Sequence, residues 1–132
     1  MILRRSALYE TAPVGVQDQP WFVNAALEID TALSPESLLA VLKRIELRLG
    51  RRPGRRWGER IIDVDLLLYD DARIDRPDLV VPHPRLWERL FVLRPLAELV
   101  PTLRSPDGCP IRVVIARLET EQVVRPLVAS QP

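Results

Sequence analysis

What this sequence has little of narrows it before any motif is read. Among its 132 residues there is one cysteine, Cys109. One cysteine forms no internal disulfide, so a reducing, cytoplasmic setting is expected. It lies in Ser105-Pro106-Asp107-Gly108-Cys109-Pro110, a turn-forming stretch, and reads as an ordinary thiol. Aromatic residues make up only 5% of the chain, without the stacking pattern of a single-stranded RNA surface. The net charge is only +1, so nothing global points to nucleic acid or to a membrane. No apolar run approaches the roughly 20 residues a membrane helix needs. Met1-Ile2-Leu3-Arg4-Arg5 has no long apolar stretch after its charges and does not read as a secretory signal. There is no Gly-x-x-x-x-Gly-Lys-Ser/Thr loop, which excludes a P-loop enzyme. Repeats, low-complexity segments and composition shifts are absent too, so residues 1–132 read as one domain.

What is present is enough for a core: 47% of the residues are hydrophobic, too many for a disordered chain. The thirteen prolines fall mostly between apolar runs and punctuate loops. Ile2 to Glu10 reads as a strand and Thr11 to Pro20 as a loop. Trp21 to Thr31 reads as the clearest strand: Val23, Ala25, Leu27 and Ile29 alternate with Phe22, Asn24, Ala26 and Glu28, which puts Phe22 and Asn24 on one face. Ser34-Pro35-Glu36 is a helix start, with an N-cap serine, an N1 proline and an acid in the first turn. Leu38, Leu42, Ile45 and Leu49 follow at helical spacing, and Gly50 is the stop. Lys43 and Glu46, three apart, share one side of that helix. Arg51 to Gly58 is a basic loop and Ile61 to Tyr69 a strand. Val80 to Pro84 is extended. Arg85 to Leu99 predicts one or two short helices broken at Pro95, and Ile111 to Leu118 a helix. Val123 to Val128 is ambiguous.

The chemistry concentrates around Arg56-Trp57-Gly58-Glu59-Arg60-Ile61-Ile62-Asp63-Val64-Asp65. Asp63 and Asp65 are two apart on a strand, so both carboxylates point to one face. Such a pair repels unless a cation lies between, and magnesium takes carboxylate oxygens while keeping waters and phosphates as its other ligands. Val64 and Leu66 face the other way and can anchor the strand. Two solvated acids on a strand edge are the alternative. The neighbours favour the metal: from Lys43 to Arg60 there are eight basic residues and only two acidic ones. Arg51, Arg52, Arg55, Arg56 and Arg60 bring planar, permanently charged guanidinium groups that fork onto phosphate oxygens. A carboxylate pair beside an arginine-rich loop is the equipment of phosphoryl transfer. A solvated loop, or a loop that contacts RNA, would also account for the arginines.

These residues resemble the signature of the 6-hydroxymethyl-7,8-dihydropterin pyrophosphokinases of folate biosynthesis. The resemblance rests on Arg56-x-Gly58-Glu59-Arg60-x-x-Asp63-Val64-Asp65-Leu66-Leu67, on Tyr9 to Gly15, on Gln17-Asp18-Gln19-Pro20 and on Phe22-Val23-Asn24-Ala25-Ala26. Ile45-Glu46-Leu47 with Gly50-Arg51, and Val81-Pro82-His83-Pro84-Arg85 with Arg89 and Phe91, extend it. The matches run in family order from about Ile2 to Leu96. The resemblance implies an α+β, ferredoxin-like antiparallel sheet with helices packed on it. It also implies transfer of pyrophosphate from ATP to the pterin hydroxymethyl group, releasing AMP.

Carried over residue by residue, Asp63 and Asp65 would hold two magnesium ions, and Arg51 and Arg60 would assist transfer. Glu46, His83 and Arg89 would line the ATP side. Lys43 would do so too, at a position where the family often has glutamine. Thr11, Val14, Phe22, Asn24 and Phe91 would form the pterin pocket, with Trp57 packing near the closed site. The partners implied are small molecules, with neither nucleic acid nor membrane. The family normally opens with a strand, a Gly-Ser-Asn turn and a helix, roughly 30 residues that have no match here. The expectation is an N-terminally truncated domain whose true start lies upstream. The alternatives are self-association through the unpaired sheet edge and a non-catalytic relative that binds pterin or nucleotide without turnover.

Overall fold

A computed structural model describes residues 1–12, 22–50 and 62–127 of the chain. They form seven short strands, three α-helices and one 3-10 turn. Every strand pairing is antiparallel, and the class is the ferredoxin-like α+β expected. The chain divides into two compact units, Met1–Thr31 with Arg85–Pro132, and Ala32–Pro84.

In the first unit, β1 (Ile2–Arg5) pairs with β4 (Leu27–Ile29), and β2 (Tyr9–Thr11) lies between β3 (Phe22–Asn24) and β7 (Val124–Pro126). Both long strands expected here are therefore broken in two. The cause is a mismatch in length. Arg5 faces Leu27 and Tyr9 faces Asn24, so Ser6, Ala7 and Leu8 stand opposite only Ala25 and Ala26. This is a β-bulge, one residue longer on one side, and it bends the hairpin. Ser6 makes the bend affordable. Its N–H donates to the Ala26 carbonyl at 2.9 Å, and its buried hydroxyl accepts the Ala26 N–H at 2.9 Å, in place of a ladder carbonyl.

Helix α2 (Leu90–Leu99) buries Leu90, Leu93, Leu96 and Leu99, an i, i+3 stripe that makes the core of this unit. The expected break at Pro95 does not occur, and α2 runs through it. Proline lacks the N–H that would reach Phe91, but its ring is buried in the same core. The interruption falls earlier, at Arg89, whose extended backbone (φ −120°, ψ 109°) separates α2 from the 3-10 turn Leu86–Glu88. Helix α3 (Ile111–Leu118) is where the pattern predicts it. The ambiguous C-terminal stretch resolves as β7.

In the second unit, α1 (Pro35–Arg48) starts as its sequence dictates. Ser34 Oγ accepts from Ser37 N at 3.2 Å, and Pro35 and Glu36 occupy the first turn. Leu49 caps the other end, and Gly50 follows with φ +111°, the left-handed conformation that suits glycine. Of the apolar stripe, Leu38 is buried, but Ile45 and Leu49 are exposed, so packing fades along the helix. β5 (Ile74–Arg76) and β6 (Leu79–Val81) form a hairpin around Pro77-Asp78. Its first strand has no clear signal in the sequence because it is only three residues long and two of the three, Asp75 and Arg76, are charged. Residues 62–69 pair with no strand among the described residues, so the expected Ile61–Tyr69 strand is not formed there. Its alternation survives all the same: Asp63 and Asp65 are exposed, while Val64 and Leu66 are half-buried.

Candidate active site

The carboxylate pair sits in the second unit, and a helix places its surroundings. Leu39, Lys43 and Glu46 are four and three apart on α1, so they form one stripe along about two turns. Opposite them runs the segment carrying Asp63 and Asp65. Glu46 Oε2 accepts the backbone N–H of Val64 at 2.5 Å. That residue lies between the two aspartates, so the bond fixes the backbone from which both carboxylates project. Three residues on from Val64, Leu67 O accepts from His83 N at 2.9 Å, tying the loop after β6 to the same segment. Tyr69 donates its phenolic O–H to Leu33 O, and Arg76 pairs with Glu36.

The result is a cleft of about 370 Å³, within the size range of small-molecule sites. Lys43, Glu46, Asp63, Asp65 and His83 all line it, with Leu39, Leu66 and Asp78 among its other walls. Five residues picked from separate parts of the sequence therefore meet in one place. Asp78, in the hairpin turn, is an addition to the residues expected from the sequence, although Pro77-Asp78 ahead of the apolar Leu79-Val80-Val81 is a turn signal. The donor set suits a hard divalent ion: carboxylate oxygens, exposed to solvent on a polar cleft. Among the described residues no three His, Cys, Asp or Glu side chains group to cage a metal. An ion held here would take its remaining ligands from water and phosphate, as magnesium does. Arg51 and Arg60, with Arg52, Arg55, Arg56 and Trp57, lie outside the described residues.

The remaining candidates belong to the first unit. Residues directly opposite on an antiparallel pair share a face. Thr11 faces Phe22 and Tyr9 faces Asn24, so all four lie on one side of the sheet. Tyr9 packs with Leu90 and Val124, and Phe91 of α2 packs against that cluster. The expected neighbourhood of Phe22 and Asn24 thus extends to Thr11 and Phe91. Thr11 Oγ1 donates to Asn24 Oδ1 at 2.5 Å, which orients the amide and leaves its NH2 as a donor. Phe22 is 57% exposed, so it is not a core side chain. Arg89, at the start of α2, holds its guanidinium 5.6 Å from the Phe91 ring centre, a cation–π distance. Val14 lies outside the described residues.

A cluster that sequence reasoning did not single out sits behind these side chains. Glu98 accepts the Tyr9 phenolic O–H and, with its other oxygen, the Ala7 N–H at 2.9 Å. Arg94 stacks 5.2 Å from the centre of the Tyr9 ring and pairs with Glu119 at 3.0 Å. Burial, then the neighbouring Glu98 carboxylate, push the Tyr9 phenol above its ordinary value, with Arg94 pulling the other way.

Residues 1–101 match the family model of 7,8-dihydro-6-hydroxymethylpterin-pyrophosphokinase. A 2-amino-4-hydroxy-6-hydroxymethyldihydropteridine pyrophosphokinase of Methylorubrum extorquens is 47% identical over 124 residues, covering 94% of this chain and 78% of that protein. A protein of the same name from Pseudomonas aeruginosa is 45% identical over 120 residues, 91% of this chain and 74% of its own length. The mitochondrial folate synthesis bifunctional protein of Arabidopsis thaliana is 54% identical over 99 residues, 75% of this chain and 18% of its own length.

Proposed function

Because this chain belongs to the 7,8-dihydro-6-hydroxymethylpterin-pyrophosphokinase family, its function is pyrophosphoryl transfer in folate biosynthesis, and we propose that the donor is ATP, assisted by magnesium. The observation that carries this reading is the convergence of Lys43, Glu46, Asp63, Asp65 and His83 on one polar cleft.

In this proposal Asp63 and Asp65 hold magnesium. A bound ion would neutralise charge that develops on the phosphates during transfer. Glu46 holds the backbone between the two aspartates, so their carboxylates are already placed when nucleotide arrives. Lys43 supplies positive charge to the polyphosphate, and His83 contributes at the same wall. Arg89, and Arg51 and Arg60 from the basic loop, complete the phosphate contacts by the family's pattern. Phe22 and Phe91 offer aromatic faces to a flat heterocycle, and Asn24, oriented by Thr11, reads its polar edge. Val14 closes that pocket by the same pattern. The hydroxymethyl oxygen of the pterin attacks the β-phosphorus in line, the bond to the α-phosphate oxygen breaks, and AMP leaves. No covalent enzyme intermediate is required.

The test is direct. The chain is incubated with ATP, magnesium and 6-hydroxymethyl-7,8-dihydropterin, and AMP is measured by chromatography. Equal amounts of AMP and pterin diphosphate are expected, and none after chelation of magnesium. Tight pterin binding without AMP would replace this reading with that of a non-catalytic binding protein. The single cysteine suits a cytoplasmic setting, and no described helix is long and apolar enough to cross a membrane.

A further inference from the structure

The Glu98 cluster has no part in the chemistry above, yet it is joined to the strands that carry the pterin pocket. Its two carboxylate oxygens take different partners. One accepts the N–H of Ala7, within the bulge; the other accepts the O–H of Tyr9, the first residue of β2. Tyr9 in turn faces Asn24 across the ladder, and Thr11, two residues on, hydrogen-bonds to the Asn24 amide. Glu98 sits near the end of α2, whose second residue is Phe91. One side chain therefore links the helix that carries Phe91 to the bend that sets the register of Thr11, Phe22 and Asn24. A bulge is a place where a ladder can slip, because its extra residue has no ladder partner. Here the donor of the extra segment is taken by Glu98 instead. The phenol is buried and held protonated, so the donor persists at neutral pH.

We propose that Glu98 is a positioning residue for pterin recognition: by bridging Ala7 and Tyr9 it locks the β2 register that aligns Thr11 and Asn24 with Phe91. The inference rests on the assignment of those residues to the pterin pocket. Glu98 touches no substrate in this scheme, so its loss should alter pterin binding selectively.

The test uses calorimetry on the whole chain, with hydroxymethyldihydropterin in the presence of a non-hydrolysable ATP analogue and magnesium, and with the analogue alone. Glu98→Ala is expected to weaken pterin binding about tenfold, the consequence of losing roughly one to two net hydrogen bonds, and to leave analogue affinity within twofold. Glu98→Gln is expected to restore most of the loss. Its amide oxygen accepts from Ala7 and its NH2 donates to the Tyr9 oxygen. Tyr9→Phe, which keeps the ring and removes only the donor, is expected to fall between the two. Unchanged pterin affinity in a folded Glu98→Ala protein would overturn the proposal, as would an equal loss for both ligands. Asn24→Ala separates the two levels. If it weakens pterin binding and Glu98→Ala does not, only the positioning role fails; if neither does, the pocket assignment itself fails.

Discussion

The two units of this chain are held together in different ways. Of the twelve buried hydrophobic side chains among the described residues, nine belong to the unit of Met1–Thr31 and Arg85–Pro132, including Leu86, Leu90, Leu93 and Ile111. The unit of Ala32–Pro84 contributes only Leu38, Leu79 and Val81. Its order comes instead from directed polar bonds: Glu46 to Val64, His83 to Leu67, Tyr69 to Leu33 and Arg76 to Glu36. The contrast fits the ligands proposed for each unit. A flat heterocycle is recognised by shape, and a packed sheet-and-helix layer holds shape well. A nucleotide with its metal is recognised by charge at exposed oxygens, which a hydrophobic core could not leave open to solvent.

The sharpest expected effect separates chemistry from stability. Asp63→Ala or Asp65→Ala should lower AMP formation by about a thousandfold, the scale of losing a preorganised charge stabiliser. Because both carboxylates are exposed, the unfolding midpoint in urea should stay close to that of the parent. A variant that kept a tenth of the activity would remove the metal role from that residue. Next in size is the packing contrast itself. Leu90→Ala, at a position with no exposed surface, should cost about 3 kcal/mol in denaturant unfolding. Ile45→Ala, on the exposed part of α1, should cost less than about 1 kcal/mol. Equal costs would mean that α1 is as well packed as α2 and would break the comparison.

A smaller effect probes the polar scaffold. Glu46→Ala removes the acceptor of the Val64 N–H, and the magnesium concentration giving half-maximal rate should rise about tenfold, as when a group orienting metal ligands is lost. A changed maximal rate at an unchanged magnesium requirement would assign Glu46 to the nucleotide instead. The smallest change expected is in Arg76→Ala. Its pair with Glu36 is exposed on both sides, and such pairs contribute at most about 1 kcal/mol. A larger loss would show that the Ala32–Pro84 unit depends on this bond more than on buried Leu38, Leu79 and Val81.

Local signals in the sequence are legible where capping and periodicity decide the outcome. The Ser34 cap, the Gly50 stop and α3 follow from capping and periodicity alone. So did the pairing of Phe22 with Asn24 on one face, and the alternation around Asp63 and Asp65. What escaped depends on partners distant in sequence. Nothing near Ser6 announces that its hydroxyl will replace a ladder carbonyl opposite Ala26, so two bent strands read as two straight ones. Pro95 looked like a helix break because the core that buries its ring is built by residues from elsewhere. Glu98 was invisible for the same reason: its partners, Ala7 and Tyr9, lie some ninety positions earlier. The gathering of Lys43, Glu46, Asp63, Asp65 and His83 came from the family pattern. Periodicity could place Lys43 with Glu46, but it could not bring His83 to them.

The bulge at Ser6 to Leu8 also governs which length changes this chain can accept. Arg5 and Tyr9 are four positions apart on one strand, while their partners Leu27 and Asn24 are three apart on the other. Deleting any one residue from Ser6 to Leu8 would equalise the counts and turn every later side chain of β2 to the opposite side. Glu10 would then point where Tyr9 and Thr11 now do. The Asp70-Asp71 turn, exposed and with Asp70 already at φ +47°, carries no such parity. Insertions and deletions should therefore accumulate at that turn and be purged from the bulge, even though neither place holds a candidate site residue.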